Sequence, residues 1–190
     1  MDIPRRRHTM EEYFALERVG DARYEYWNGD ILCMSGGSLQ HARIGGNIFL
    51  SLGTRLRAGG CQPFTGEISI KTPQLPPYRY PDVSVVCGEP IIEKIEGFDV
   101  LVNPIVVIEV LSPGTASLDR NQKRAAYQAI PSVREVLLIS QEAPMVTQYL
   151  RQADEEWERR DLGGLTAIVE LPSLSCRLPL GEVYEGVPFL

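Results

Sequence analysis

Hydrophobic and polar residues alternate along this chain in two kinds of pattern, one helical and one strand-like. Apolar residues recur at four-residue steps over residues 40–57, which predicts a helix packed on one side. Residues 82–87, 105–111 and 133–140 are rich in Val, Ile and Leu, which predicts buried strands. Helices that alternate with strands indicate an α/β or mixed α+β fold, with a mixed central sheet flanked by helices.

Shorter signals add elements at both sides of this core. Thr9 to Glu12 has the form of a capping box and predicts a short N-terminal helix. Asn28-Gly29, between aromatic and aliphatic runs, predicts a β-hairpin because both turn positions favour positive φ. We also expect a strand over residues 64–71 and a helix over residues 118–130, which Pro131 stops.

The remaining segments read as loops and a C-terminal ribbon. Residues 72–77 form a proline-rich loop, and residues 88–103 are polar and irregular, typical of an exposed hairpin or lid. Residues 145–151, 157–162 and 167–170 have the pattern of antiparallel strands.

Length and composition favour one domain. The chain has 190 residues and 44% hydrophobic content, enough for a single core. We therefore expect one domain over residues 1–190, with a flexible N-terminal segment at residues 1–8 and a β-ribbon extension at residues 145–190.

The cysteines and the apolar runs bear on location. The four cysteines, Cys33, Cys61, Cys87 and Cys176, stand singly without zinc-site or thioredoxin-like spacing, which predicts reduced thiols. No apolar run approaches the ~20 residues that span a bilayer, and the basic N-terminus leads into no apolar signal segment. We expect a cytoplasmic protein that does not associate with membranes.

The net charge is −6 and the isoelectric point is about 5.0. This balance disfavours a protein that coats nucleic acid through a broad basic face. It is compatible with a nuclease, because acidic metal ligands lower the charge of the apoprotein and bound cations reverse the local sign.

Two carboxylates lie in the strand-like runs. Asp82 begins one run and Glu109 lies in another. An ionised carboxylate in an apolar strand is costly unless a metal, a cation or several hydrogen bonds compensate for its lost hydration. If the strands are neighbours, the two acids could hold Mg²⁺ or Mn²⁺ and activate a bound water. The alternative is that each acid pairs with a nearby arginine for structural reasons.

Three further residues are candidates for the same site. Lys123, on the helix after the second acid, could stabilise charge on a phosphate or orient water. The alternative is that Lys123 is exposed and forms an i,i+4 ion pair with Asp119, which would stabilise the helix by only ~0.3–0.5 kcal/mol. Glu25 and His41 could hold water or transfer protons. Their alternatives are a solvated strand charge and a polar residue at a helix start.

Other chemistries have little support. The chain has no Gly-Lys-Ser/Thr of a P-loop and no Gly-x-Ser-x-Gly of a hydrolase nucleophile. Two histidines and scattered cysteines leave little for a zinc site.

Several motifs together carry a family resemblance. They are Tyr24-Glu25, Asn28-Gly29, Met34 to Ser38, His41, Tyr80-Pro81-Asp82, Glu109 to Pro113, Asp119-x-x-x-Lys123 and Tyr127. In this order the chain resembles the PD-(D/E)XK nuclease superfamily. More closely, from about Thr9 to Tyr149, it is similar to a bacterial restriction-endonuclease-like family of unknown function.

The resemblance implies a restriction-endonuclease-like core. It implies that Asp82, Glu109 and the carbonyl of Val110 bind a divalent metal, and that a lysine assists phosphodiester hydrolysis. In the superfamily pattern that lysine follows two residues after the acid, where this chain has Leu111. Lys123 is the expected substitute, since its side chain could reach back to the same point.

The sequence therefore predicts a Mg²⁺- or Mn²⁺-dependent endonuclease that acts on DNA, with Asp82, Glu109, Lys123, Glu25 and His41 at its site. We expect a homodimer, because many such nucleases cut both strands by pairing protomers. Two alternatives stay open: a non-catalytic module that binds metal or nucleic acid on a nuclease fold, and a hydrolase of a small phosphoester.

Overall fold

The computed structural model describes residues 6–20, 22–34, 37–112 and 119–189. Its helices are α1 (Met10–Val19), α2 (Leu39–Leu56), α3 (Arg124–Gln128) and α4 (Leu180–Val183). Its strands are β1 (Tyr24–Trp27), β2 (Asp30–Cys33), β3 (Cys61–Thr65), β4 (Ser69–Lys71), β5 (Tyr78–Arg79), β6 (Val83–Cys87), β7 (Ile92–Ile95), β8 (Phe98–Leu101), β9 (Val106–Leu111), β10 (Glu135–Ser140), β11 (Met145–Arg151), β12 (Trp157–Gly163), β13 (Ile168–Leu171) and β14 (Cys176–Pro179). The predicted mixed α+β fold is confirmed.

A six-stranded mixed sheet in the order β12-β11-β10-β9-β6-β3 forms the centre of the molecule. Strands β9 and β10 run parallel, whereas β6 is antiparallel to β9. Every residue of β9 is buried, which explains its continuous run of apolar residues around one acid.

Both faces of this sheet are covered. On one face, Val83, Val85 and Ile108 pack with the apolar stripe of α2, which confirms the predicted one-sided helix. On the opposite face, Val107 and Leu111 pack with residues around α3. Alternate residues of a strand therefore contact different layers.

The predicted strand over residues 64–71 is wrong, because it is two strands in different sheets. Strand β3 pairs with β6, whereas β4 belongs to a second sheet in the order β5-β4-β8-β7. The chain turns at Gly66, where an added Cβ would lie 3.0 Å from the carbonyl oxygen of Pro81. Glycine suits this close backbone approach, which falls beside Asp82, because a side chain there would force the Pro81 backbone to shift.

The N-terminal predictions are confirmed. Thr9 and Glu12 form the capping box of α1. Strands β1 and β2 form the predicted hairpin, with φ of 46° at Asn28 and 94° at Gly29. The backbone N–H of His8 donates to the carbonyl of Gly29 at 2.7 Å. Of the segment predicted to be flexible, residues 1–5 lie outside the described part.

The helix predicted over residues 118–130 differs in form. Asp119–Lys123 is a π-helical turn, and α3 follows directly. A π-turn rotates successive side chains less than an α-helix does, and such turns are frequent at functional sites. Residue 118, where the helix was predicted to begin, lies outside the described residues.

The segments predicted as an exposed hairpin and as a C-terminal ribbon are ordered strands. Strands β7 and β8 pair as an antiparallel hairpin within the second sheet. Strands β11 and β12 are the last strands of the central sheet, whereas β13 and β14 form a separate two-stranded ribbon. The C-terminal extension is thus partly continuous with the central sheet.

The prediction of reduced thiols is wrong for two cysteines. The antiparallel register of β3 and β6 places Cys61 opposite Cys87, and the two form a disulfide. Local spacing could not show this pair, because it is made across strands. Cys33 and Cys176 are free thiols. The cytoplasmic location stays a prediction, and within the described ranges no helix combines the length and apolar character needed to cross a bilayer.

Candidate nuclease site

The two predicted acids lie where β6 begins and β9 approaches its end. In the antiparallel register of these strands, Val83 is opposite Ile108. Continuing the register by one pair brings Asp82 opposite Glu109. Directly opposed residues of an antiparallel pair have Cα atoms about 4.5–5.5 Å apart. The strand order thus brings together two acids that are distant in sequence.

Asp82 is held by its carboxylate oxygen Oδ2. This oxygen accepts a hydrogen bond of 2.6 Å from the backbone N–H of Val110, and it lies 3.4 Å from Nε2 of His41. Burial raises the pKa of Asp82, but the His41 contact, the Val110 N–H and the charge of Lys123 lower it by more, so the net pKa lies below its ordinary value. Asp82 is therefore ionised at neutral pH.

The carbonyl of Val110 faces the side of β9 on which Asp82 lies. The next carbonyl, that of Leu111, accepts from Gln141 N on the β10 side at 3.4 Å, so the carbonyl of Val110 faces the β6 side. Continuing the register by two pairs beyond Val83 and Ile108 brings Pro81 opposite Val110, and proline has no N–H to donate. Pro81 therefore donates no hydrogen bond to the Val110 carbonyl. A carbonyl oxygen without this donor is suited to bind a metal.

Glu109 is almost completely buried, with 3% of its surface exposed. Its Oε1 accepts a hydrogen bond from the hydroxyl of Tyr127 on α3 at 2.5 Å. Burial raises the pKa of Tyr127 well above its ordinary value, and the negative charges of Glu109 and Glu25 raise it further. Tyr127 therefore remains a donor and fixes the orientation of the Glu109 carboxylate.

Lys123 forms a buried bridge between two acids. Its Nζ lies 2.8 Å from Oε1 of Glu25 and 3.4 Å from Oε1 of Glu109. The three side chains are between 4% and 7% exposed. The alternative reading of Glu25 as a solvated charge is therefore wrong, and so is that of an exposed Lys123. The Asp119 side chain, the partner in that alternative, lies outside the described part.

His41 belongs to the first turn of α2. Ser38 caps this helix by accepting from the backbone N–H of His41 at 3.1 Å, which fixes the start of the helix near the beginning of β6. The His41 ring then reaches Asp82 across a cleft of about 270 Å³ that also contacts Arg23 and Glu67. His41 thus approaches from the α2 face, whereas Lys123 approaches from the α3 face.

Sequence reasoning missed two residues of this neighbourhood, Arg79 and Trp27. The guanidinium of Arg79 lies 3.6 Å from the centroid of the Trp27 ring, and the indole N–H of Trp27 donates to Oε2 of Glu25 at 3.1 Å. Arg79 is only 5% exposed. A two-residue strand after a proline-rich loop gives no sequence signal for a buried cation, so only coordinates could have found it.

The donor chemistry of the site fits a hard divalent cation. Asp82, Glu109 and the Val110 carbonyl offer oxygen atoms only, the ligands that Mg²⁺ and Mn²⁺ prefer. Among the described residues, no cluster of three or more His, Cys, Asp or Glu side chains is placed to hold a metal. A cation here would therefore keep several waters, as Mg²⁺ usually does.

Comparison with known families identifies the chain's relatives. The model of a family described as "Uma2: Putative restriction endonuclease" matches residues 10–180. An uncharacterized protein of Synechocystis sp., slr1290, is 30% identical over 179 residues, covering 94% of this chain and 92% of that protein. A second uncharacterized Synechocystis protein, sll1609, is 31% identical over 162 residues, covering 85% and 91%.

A solved structure has the same fold. It is a crystal structure from Anabaena variabilis described as a putative nuclease belonging to DUF820. It superposes with a TM-score of 0.67 at 18% identity, over 86% of this chain and 90% of that chain. The restriction-endonuclease-like fold and the family resemblance are thereby confirmed.

Proposed function

We propose that this chain, which belongs to the Uma2 family of restriction-endonuclease-like proteins, is a metal-dependent endonuclease that hydrolyses DNA phosphodiester bonds. The family description and the shared fold support a nuclease-like function. The observation that carries the proposal is the buried Glu25–Lys123–Glu109 chain, which lies near Asp82 where β6 begins and β9 approaches its end.

A structural role alone does not account for this arrangement. Each buried ion loses hydration worth several kcal/mol, and apolar residues of similar volume often give equal or greater stability. Burial of two acids and a lysine in an apolar core is instead typical of sites that need fixed charges.

Each residue has a distinct task in the proposed reaction. Asp82, Glu109 and the carbonyl of Val110 would hold Mg²⁺ or Mn²⁺, which would supply a water of lowered pKa. Lys123 places a positive charge beside Glu109, where it stabilises the charge that develops on the phosphate. Glu25 holds the Lys123 ammonium, and His41 orients Asp82.

A second candidate function is a module that binds metal or nucleic acid without cleaving it. The position of the lysine favours this candidate, because Lys123 comes from a helix and is already paired with two acids. An ammonium that cannot leave Glu25 would stabilise the site without serving a phosphate.

A cleavage assay decides between these functions. The purified protein is incubated with supercoiled plasmid, single-stranded DNA, RNA and a small phosphodiester, each with Mg²⁺, Mn²⁺ or EDTA. We expect metal-dependent nicking that Asp82→Asn and Glu109→Gln abolish, while Glu158→Gln on an exposed part of β12 leaves it unchanged. Cleavage of the small phosphodiester alone would favour the small-ester hydrolase.

Binding without turnover is the outcome that would overturn the proposal. If calorimetry shows Mn²⁺ binding that Asp82→Asn abolishes, and no substrate is cleaved, the non-catalytic module replaces the nuclease. Sedimentation of the protein with and without a DNA duplex would test the expected homodimer in the same preparation.

A further inference from the structure

The strongest feature that the proposed reaction does not use is the buried cation Arg79. Its Nε and Nη1 atoms are inaccessible and have no hydrogen-bond partner. Unpaired buried donors are costly, and those of a charged group more so. Arg79 therefore carries a cost in stability that an apolar residue at the same position would not have.

The guanidinium of Arg79 lies over an aromatic face. It lies 3.6 Å from the centroid of Trp27, well within the ~6 Å limit of a cation–π interaction. Trp27 is 8% exposed, so the pair is desolvated, a condition in which such contacts are strongest. Arg79 thus fixes the plane of the indole ring.

The indole ring in turn orients the Glu25 carboxylate through a hydrogen bond. Its Nε1–H donates to Oε2 of Glu25, and the other oxygen of Glu25 forms an ion pair with the Lys123 ammonium at 2.8 Å. The contacts run without a break from Arg79 through Trp27 and Glu25 to Lys123.

We propose that Arg79 and Trp27 are positioning residues for Lys123. Lys123 lies on a helix, and Trp27 and Glu25 of the N-terminal hairpin fix the position of its ammonium. A lysine on β9 itself, beside Glu109, would not need this support. This inference depends on the proposed function for its catalytic consequence, but its structural part does not. Lys123 is the last residue of the π-turn and carries a long flexible side chain, and its contact with Glu109 at 3.4 Å is longer than its contact with Glu25 at 2.8 Å.

Two substitutions break the chain of contacts at different points. Trp27→Phe keeps a ring beneath the guanidinium but removes the indole N–H from Glu25. Arg79→Met keeps an unbranched side chain of similar length but removes the planar cation. Trp157→Phe is the matched control, since Arg151 lies 5.0 Å from that ring in an equivalent pair outside the site.

The first readout is acetylation of lysines in the native protein by an N-hydroxysuccinimide ester, followed by peptide mass spectrometry. Lys71 and Lys94, with side chains 41% and 70% exposed, serve as internal references for Lys123. We expect Lys123 to react several-fold faster in Trp27→Phe and in Arg79→Met, and at the wild-type rate in Trp157→Phe. Circular dichroism confirms that each variant is folded, and either variant alone suffices if the other does not fold.

The second readout is DNA cleavage. We expect kcat to fall about 10–100-fold with KM nearly unchanged, the range typical of residues that orient a catalytic group. Wild-type labelling of Lys123 in a folded variant would overturn the proposal. If the wild-type protein cleaves nothing, the proposed function fails, but the labelling still decides whether Arg79 and Trp27 position Lys123.

Discussion

The Lys123 ammonium lies 2.8 Å from the Glu25 carboxylate, so a lysine from the helix after β9 is paired with an acid from the N-terminal hairpin. The same ammonium lies 3.4 Å from Glu109. The two carboxylates and the ammonium share one buried volume, and removal of the ammonium leaves both acids without this counterion.

The first prediction concerns the stability that Lys123 confers. Lys123→Met should lower the free energy of unfolding by about 3–5 kcal/mol, because two buried acids lose their counterion. Urea unfolding at neutral pH without metal measures this loss. The double variant Lys123→Met with Glu25→Gln should recover part of it, since one of the two charges is also removed.

An exposed pair provides the control for this measurement. Lys71→Met breaks the contact with Glu93, in which both side chains are more than 40% exposed, and should change stability by no more than about 1 kcal/mol. Equal effects of Lys71→Met and Lys123→Met would contradict the buried network.

The second prediction follows from the lowered pKa of Asp82. A carboxyl whose pKa is lower in the folded protein stabilises the fold above its unfolded pKa of about 3.9, and this contribution is lost as the pH falls through the folded-state pKa. Asn has no such titration. Acidification below about pH 5 should therefore shift the stability difference between wild type and Asp82→Asn in favour of the variant.

Urea unfolding in EDTA at a series of pH values checks this shift. EDTA removes divalent ions that would otherwise compete with protons for Asp82. If the difference in free energy of unfolding between wild type and Asp82→Asn is the same at neutral and acidic pH, the His41 and Val110 contacts do not lower the Asp82 pKa.

The third prediction concerns His41, which lies 3.4 Å from Asp82. Outer contacts that orient a metal-binding carboxylate typically change affinity about 10–100-fold when removed. His41→Ala should therefore weaken Mn²⁺ binding in calorimetry by a factor in that range. His8→Ala is the matched control, since His8 contacts Glu12 at the N-terminal helix, and equal affinity of all three proteins would exclude His41 from the site.

The fourth prediction concerns the disulfide between Cys61 and Cys87. It closes a loop across a sequence separation of 26 residues, and loops of this size typically add about 2–4 kcal/mol of stability. Reduction should lower stability by that amount but leave cleavage unchanged below the unfolding transition, because Cys87 lies at the end of β6 opposite to Asp82. If reduction of the folded protein abolished metal binding, the disulfide and the site at Asp82 would not be independent, which would contradict this prediction.

The main sheet was predictable because its signals are local. The Val- and Ile-rich runs around Glu109, the four-residue apolar repeat of α2 and the Asn28-Gly29 turn each specify one element. Asp82 and Glu109 were recognisable as site candidates because a charge within an apolar strand is rare without a partner.

Features made by contacts between distant segments were not predictable. The Cys61–Cys87 pair depends on strand register, and the break at Gly66 depends on the approach of Pro81. The Arg79–Trp27 contact joins a two-residue strand to the N-terminal hairpin. No spacing along the chain encodes such contacts, since they exist only after the sheets have formed.

The most direct test of the account is a crystal of the protein soaked in Mn²⁺ and examined by anomalous diffraction. We expect one strong peak within about 2.0–2.3 Å of a carboxylate oxygen of Asp82, a carboxylate oxygen of Glu109 and the carbonyl oxygen of Val110. The Lys123 ammonium should remain in contact with Glu25. Anomalous density elsewhere and none between Asp82 and Glu109 at saturating Mn²⁺ would contradict the proposed metal site and the nuclease mechanism built on it.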